Sequence, residues 1–424
     1  MNNGFTLYKD IINPYPPLFT GFLATFSKIF GYSPLPYQYL TWILILLIDF
    51  LVFFISQKIF KKFRYSFFSL IFFSIVSIPF SINGLWFDLV QTLPILLAVY
   101  YFYKFTKEQN SDKLFFSILF LTLAFFIKQQ TIWLLFWFMA ILIFKFRSTK
   151  DIIFKNSKIF LPFFILLIIP VIIFAQKNLL KEYLFWNYYF PFFQASSMPG
   201  YILIPTAKQL LVVISLPLFF LPLIFKKRST KFFLGSSFVS FLFAYPRFDY
   251  FHLVPALAIM SIVISENFKA FAKSQLSVKL IFLISLIFLS ILFTRYLARN
   301  WTSEIRFFEK DITQTARFIQ NITDYDETIY IQNGPDQLFP LANRIPPKPW
   351  ADEFPWYLEI AGLQDRVISG ISQSNPRFIV FKPYTVAKRY EIGAYTPEKI
   401  ANYIEINYQN LYQISESLWL KIKK

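Results

Sequence analysis

The chain has no cysteine and a single histidine, His252. The first absence excludes disulfides, haem-thiolate ligation and cysteine-type zinc sites, and the second excludes any histidine cluster. Glycine is scarce, at 10 of 424 residues. No P-loop, dinucleotide glycine pattern or His-Glu zinc helix occurs, and a phosphate-cradling glycine loop has little to be built from. Charged residues make up 16%, against about 25% in soluble domains. Met1 leads into a polar, proline-containing stretch without the basic start of a signal peptide. Either the first apolar run inserts with its N-terminus outside, or the true N-terminus lies upstream.

What the chain has in quantity is apolar and aromatic: 56% hydrophobic residues and 22% Phe, Trp and Tyr. Globular cores cannot hide so much, so a polytopic membrane protein is expected. About 20 apolar residues span a bilayer as a helix. About ten such runs are expected, at 38–57, 66–82, 85–103, 114–127, 130–144, 159–176, 208–225, 232–245, 251–265 and 280–296. Four of them (114–127, 130–144, 232–245, 251–265) are short. They form two pairs broken at Lys128-Gln129-Gln130 and Pro246-Arg247-Phe248-Asp249. Broken helices are tolerated where protein or a water-filled cavity surrounds them, which hints at a site.

The net charge of +18 could suggest nucleic acid. Its distribution argues otherwise. The loops 58–64, 145–158 and 226–231 are strongly basic, with further lysines in 104–113 and 266–279. The alternate loops 82–85, 128–130 and 246–250 are poor in charge. The positive-inside rule puts the basic set in the cytoplasm. Residues 1–37, Asp88, Lys128, the 177–207 loop, Arg247 to His252 and the C-terminal part are then expected on the outer side.

Residues 16–30 read as an amphipathic helix lying on that surface. The aromatic stretch Phe185 to Pro191 in the 177–207 loop reads as an interfacial belt or as a sugar- or lipid-binding lip. From about Trp301 the pattern changes. A helix at 303–321, strands at 328–331, 377–381, 411–414 and 417–422, and a helix started by Thr396-Pro397-Glu398 with a capping-type order predict a small α/β domain. The expected domains are 1–37, an outer loop with interfacial helix; 38–299, all-α and transmembrane; and 300–424, extracytoplasmic α/β.

Asp10, before Pro14-Tyr15-Pro16-Pro17, is a candidate general base or metal ligand, or else a solvated loop acid. Asp88 sits a turn inside an apolar helix, where a carboxylate is a functional candidate by default; the alternative is a structural partnership with Lys128 or Arg247. Asp49, nearer mid-span, reads as an interhelix structural bond. Lys128, Arg247 and His252 supply donors and positive charge suited to a phosphate or diphosphate, or snorkel at the interface. Asn300-Trp301-Thr302 and Asn321-Ile322-Thr323 fit the glycosylation acceptor pattern.

Several stretches resemble the GT-C superfamily of membrane glycosyltransferases, which includes protein O-mannosyltransferases and the aminoarabinose transferase of lipid A. They are Asn3 to Asp10 running into Pro16-Pro17-Leu18, Ile127 to Gln130, Tyr245 to Pro255, and the tail from Tyr395 to Tyr408. The resemblance implies transfer of a sugar from a polyprenyl-phosphate carrier to an acceptor outside the cytoplasm, with inversion, in a bacterial cytoplasmic membrane. It implies a first-loop carboxylate as base, here Asp10, with Asp88 auxiliary. Lys128, Gln129, Arg247, Asp249, Tyr250 and His252 would hold the donor and its phosphate, and a divalent metal is used by some members. Relatives carry a helix and an acidic motif upstream of the Tyr-x-Asp stretch, so the chain is expected to be N-terminally incomplete. Two rivals stand beside this: a non-catalytic transporter or flippase of lipid-linked sugars, expected to carry charges through the membrane's depth, and a polysaccharide polymerase or ligase, expected to carry a large, arginine-rich outer loop.

Overall fold

The computed structural model describes residues 1–81, 84–145, 160–223, 228–304 and 308–424. Residues 82–83, nearly all of the basic loop 145–158, Lys226 and Lys227 of the loop 226–231, and residues 305–307 of the helix expected at 303–321 lie outside the described residues. The chain forms two compact units. One comprises Tyr37–Pro170 and Ile204–Ser303, the other Met1–Pro36, Val171–Leu203 and Glu304–Lys424.

The first unit is helical. Among the described residues three helices are long and apolar enough to cross a membrane: Pro34–Phe60, Phe63–Phe80 and Leu276–Asn300. The pair Tyr250–Ser261 and Ile264–Ala272, bent by 64°, counts as a fourth if taken as one span. Gln129–Phe144, Leu161–Gln176, Ala207–Leu223 and Thr230–Ala244 are shorter apolar helices. Leu276–Asn300 shows the physical logic. Leu280, Ile284, Ile287 and Ile291 form an exposed apolar stripe, while Phe282, Ser285 and Leu289 face inward. An outward stripe of leucine and isoleucine at helical spacing suits a lipid surround and not water.

Inside, small hydroxyls tie the helices together. Ser56 Oγ lies 3.1 Å from Ser69 Oγ, Ser117 donates to the Ala98 carbonyl at 2.9 Å, and Ser237 donates to that of Ala256 at 2.8 Å. Such bonds satisfy polar groups that hydrocarbon cannot. The interhelix bond expected of Asp49 is not among these: Ser74 on the neighbouring helix donates to the Leu70 carbonyl at 2.9 Å, and Asp49 Oδ1 is buried without a hydrogen-bond partner among the described residues. The short helix Val254–Ser261 is buried along its whole length, so a segment too short to span alone is walled by protein.

The second unit contains a four-stranded sheet in the order β1-β2-β4-β3, with β1 Tyr330–Gln332, β2 Phe378–Phe381, β3 Tyr408–Gln413 and β4 Trp419–Lys423. β1 and β2 are parallel and the other pairs antiparallel. A parallel pair needs a crossover, and residues 333–377 supply it, ending in the helix Leu363–Ser374. Strand alternation separates two cores. Ile329, Ile331, Val380 and Leu420 pack with Ala316 and Ile319 of the helix Lys310–Ile322. Tyr330 and Ile379 face Val367, Ile371, Ile400 and Ile404.

Two expectations need correction. The 177–207 stretch is not simply a loop: Leu180–Leu184 is α-helical and continues through Phe185–Gln194 as a wider π-helical stretch containing Pro191. A proline cannot donate to the helix ladder, and wide turns of this kind are frequent at functional sites. At Thr396-Pro397-Glu398 the helix Glu398–Asn407 begins without a side-chain cap. Gln364 Oε1 instead accepts from the Lys399 backbone N–H at 3.1 Å.

Candidate functional site

In the helical unit, three of the candidate residues meet. Asp88 enters from the first turn of Phe87–Glu108, Lys128 from the break after Ser111–Ile127, and His252 from the short helical turn Tyr250–Leu253. Lys128 Nζ donates to Asp88 Oδ2 at 2.7 Å. His252 Nδ1 lies 3.1 Å from the same oxygen and 3.0 Å from Lys128 Nζ. Nδ1 is thus placed either to accept from the ammonium or, when it carries the proton, to donate to the Asp88 carboxylate. Gln91 Nε2 donates to Asp88 Oδ1 at 3.0 Å, and Thr131 Oγ1 donates to Gln91 Oε1 at 3.1 Å. Asp88, Lys128 and His252 are 1%, 3% and 6% exposed. The partnership with Lys128 is therefore realised, and the lysine's charge is compensated by a carboxylate.

The surrounding residues hold the Tyr245–Leu253 turn. Trp86 stacks on Phe251 with centroids 4.8 Å apart and planes 3° from parallel. Gln130 Nε2 donates to the Tyr245 carbonyl at 3.3 Å, and Asp249 Oδ1 accepts from the Tyr250 backbone N–H at 2.6 Å. Gln129 is buried, while Arg247, Asp249 and Tyr250 are half-buried on the turn. A divalent cation does not fit at Asp88, since Oδ2 already faces an ammonium and Oδ1 takes an amide donor. Among the described residues no group of three or more His, Asp and Glu side chains could hold a metal.

Asp10 belongs to the other unit, in a loop pinned to residue 350. Trp350 N donates to the Asp10 carbonyl at 2.8 Å and Ile12 N to that of Trp350 at 3.0 Å. The Asp10 carboxylate also closes its own turn, Oδ2 accepting from Thr6 N at 2.8 Å with Lys348 Nζ 4.0 Å away. Tyr8, in a left-handed backbone conformation with φ of 72°, buries its ring. Its hydroxyl donates to the Tyr15 carbonyl at 2.9 Å and lies 3.2 Å from Asn187 Oδ1; burial pushes that phenol far up.

The same unit holds acids not anticipated from the sequence. Glu353 accepts from the Tyr330 and Tyr384 hydroxyls, each at 2.8 Å, and from Asn333 N at 3.0 Å. Asp336 and Asp352 are electrostatic neighbours. Burial, then the neighbouring carboxylate, pushes Asp336 well above the usual range; burial also raises Asp352 and Glu353.

Residues 15–174 match the dolichyl-phosphate-mannose-protein mannosyltransferase family. The matched stretch runs through both helices that bring Asp88 and Lys128 together, and it is consistent with the GT-C resemblance. Over that stretch, which is less than half of the chain, the protein is similar to membrane mannosyltransferases, and the apolar helices fit such a family. No curated protein matches the chain.

Proposed function

We propose that the protein transfers a sugar, with inversion, from a polyprenyl-phosphate carrier to an extracytoplasmic acceptor. The observation that carries this reading is the mannosyltransferase-family match over 15–174, whose description names a lipid-phosphate sugar donor. The ten-span topology, bacterial membrane location and outward-facing C-terminal part belong to the same proposal and rest on loop charge.

In the reaction, an acceptor hydroxyl gives its proton to a carboxylate and its oxygen bonds to the anomeric carbon. The bond from that carbon to the phosphate oxygen breaks, and the electron pair leaves with the lipid phosphate. We assign the base to Asp10. Lys128 and His252 are buried against Asp88, so these three act by positioning: they hold the turn that carries Arg247, Asp249 and Tyr250. Arg247 is the guanidinium assigned to the departing phosphate, where charge stabilisation is worth most.

The test is reconstitution in liposomes with labelled polyprenyl-phosphate sugars of several kinds. Asp10→Asn should lower transfer by about 10²-fold or more, the usual contribution of a general base. Arg247→Lys should also slow transfer, because a point charge replaces a planar bidentate donor. Transfer undiminished in Asp10→Asn would remove Asp10 from the mechanism. Movement of intact lipid-linked sugar across the bilayer, with no donor cleaved, would replace the transferase reading by transport.

A further inference from the structure

The second unit contains a cavity of about 630 Å³ between the π-helical stretch and residues 360–366. That is within the range of small-ligand pockets. One wall is a ladder of rings at helical spacing, Phe185, Tyr189 and Phe193. Successive centroids lie 5.8 and 5.9 Å apart, and Tyr189 and Phe193 are 56% and 73% exposed. Around it stand Lys181, Glu182 and Arg366. We propose that this pocket binds a glycan, the sugar chain of the acceptor.

The chemistry favours a polyol over a lipid phosphate. The exposed Tyr189 and Phe193 rings offer apolar aromatic surface to the C–H face of a pyranose. Sugar hydroxyls need donors and acceptors together, and lysine and arginine beside a glutamate provide both. An anionic lipid head would be drawn by Lys181 and Arg366 but repelled by Glu182. Both walls are also tied to the loop bearing Asp10. Arg366 Nη2 donates to the Lys9 carbonyl at 3.3 Å. On the other side, the Tyr188 hydroxyl lies 3.1 Å from that of Tyr183, whose ring packs 5.7 Å from Tyr8. A glycan seated here is thereby held on the framework that carries the candidate base. Calling it the acceptor rests on the transferase reading; its binding does not.

The experiment is calorimetric titration of the full chain in detergent with neutral and acidic hexose oligosaccharides of two to six units. Saturable binding is expected, weakened about ten-fold or more by Tyr189→Ala and by Phe193→Ala, whose exposed rings can be removed without opening a core. Glu182→Gln should weaken neutral glycans. In the reconstituted reaction the same variants should raise the acceptor KM more than they lower kcat. Absence of binding across the panel, equal binding by wild type and both ring variants, or capture of anionic phospholipid vesicles in place of sugar would each overturn the proposal. A protein that binds glycan through this ladder yet never cleaves a polyprenyl-phosphate sugar would keep the pocket and lose the transferase reading.

Discussion

Removing Lys128 strands the Asp88 carboxylate in a site that is 1% exposed. Breaking a buried ion pair costs about 3–5 kcal/mol, whereas replacing both partners by apolar groups is often close to neutral. Lys128→Met alone should therefore lower the unfolding midpoint in detergent more than Asp88→Leu and Lys128→Met combined, as followed by tryptophan fluorescence. A single variant as stable as the wild type would mean that the pair does not hold the Lys128 break to the start of the Phe87–Glu108 helix. The sequence already marked these residues, because a charge inside an apolar run is visible without a structure. It left open whether Lys128 or Arg247 was the partner, since the two come from different breaks and spacing cannot choose between them. Gln91 and Thr131 escaped notice because neutral polar residues do not stand out in a helix. The i, i+3 spacing from Asp88 to Gln91 was the one usable signal.

Elements of the second unit depend on pH in a direction that follows from three half-buried acids. Asp336, Asp352 and Glu353 are all raised above their ordinary values, chiefly by burial. A raised acid binds more protons folded than unfolded. Its contribution to stability is full below the unfolded value, about 3.9 for Asp, and is lost as pH climbs through the raised one. Unfolding of the full chain should thus show a midpoint that falls between mildly acidic and alkaline buffer. Asp336→Asn, which keeps a neutral side chain beside Asp352, should raise the midpoint by a few degrees at alkaline pH and flatten the slope. An equal loss at both ends of the range would contradict this. The strands themselves were legible: 328–331 and 377–381 fall on β1 and β2 within two residues, because short β-branched and aromatic runs between turn residues identify themselves. The convergence of Tyr330 and Tyr384 on the Glu353 carboxylate was not, being assembled across a crossover. The π-helical stretch was hidden for a different reason. Its rings are apolar on every side, so periodicity could not separate helix from belt.

At the scale of the whole molecule, sidedness is what the functional reading needs. A lipid-linked donor keeps its reactive phosphate at one membrane boundary, so the groups proposed to act on it must reach that boundary. Loop charge makes the assignment, since lysine and arginine between spans stay cytoplasmic. Segments such as the buried Val254–Ser261 helix blur the count of crossings, because a helix walled by protein need not span. Orientation therefore has to be measured directly, and the chain is unusually suited to it. With no native cysteine, every thiol is one that has been introduced. Lys62→Cys lies in an exposed basic loop, and Val386→Cys is fully exposed in the C-terminal part. In intact cells a membrane-impermeant maleimide should label position 386 and spare position 62, and permeabilisation should expose both. Labelling of 62 but not 386 in intact cells would put the C-terminal part in the cytoplasm. Asp10 and the glycan pocket belong to the same compact unit as that part, so the extracytoplasmic transfer proposed here would fall with it.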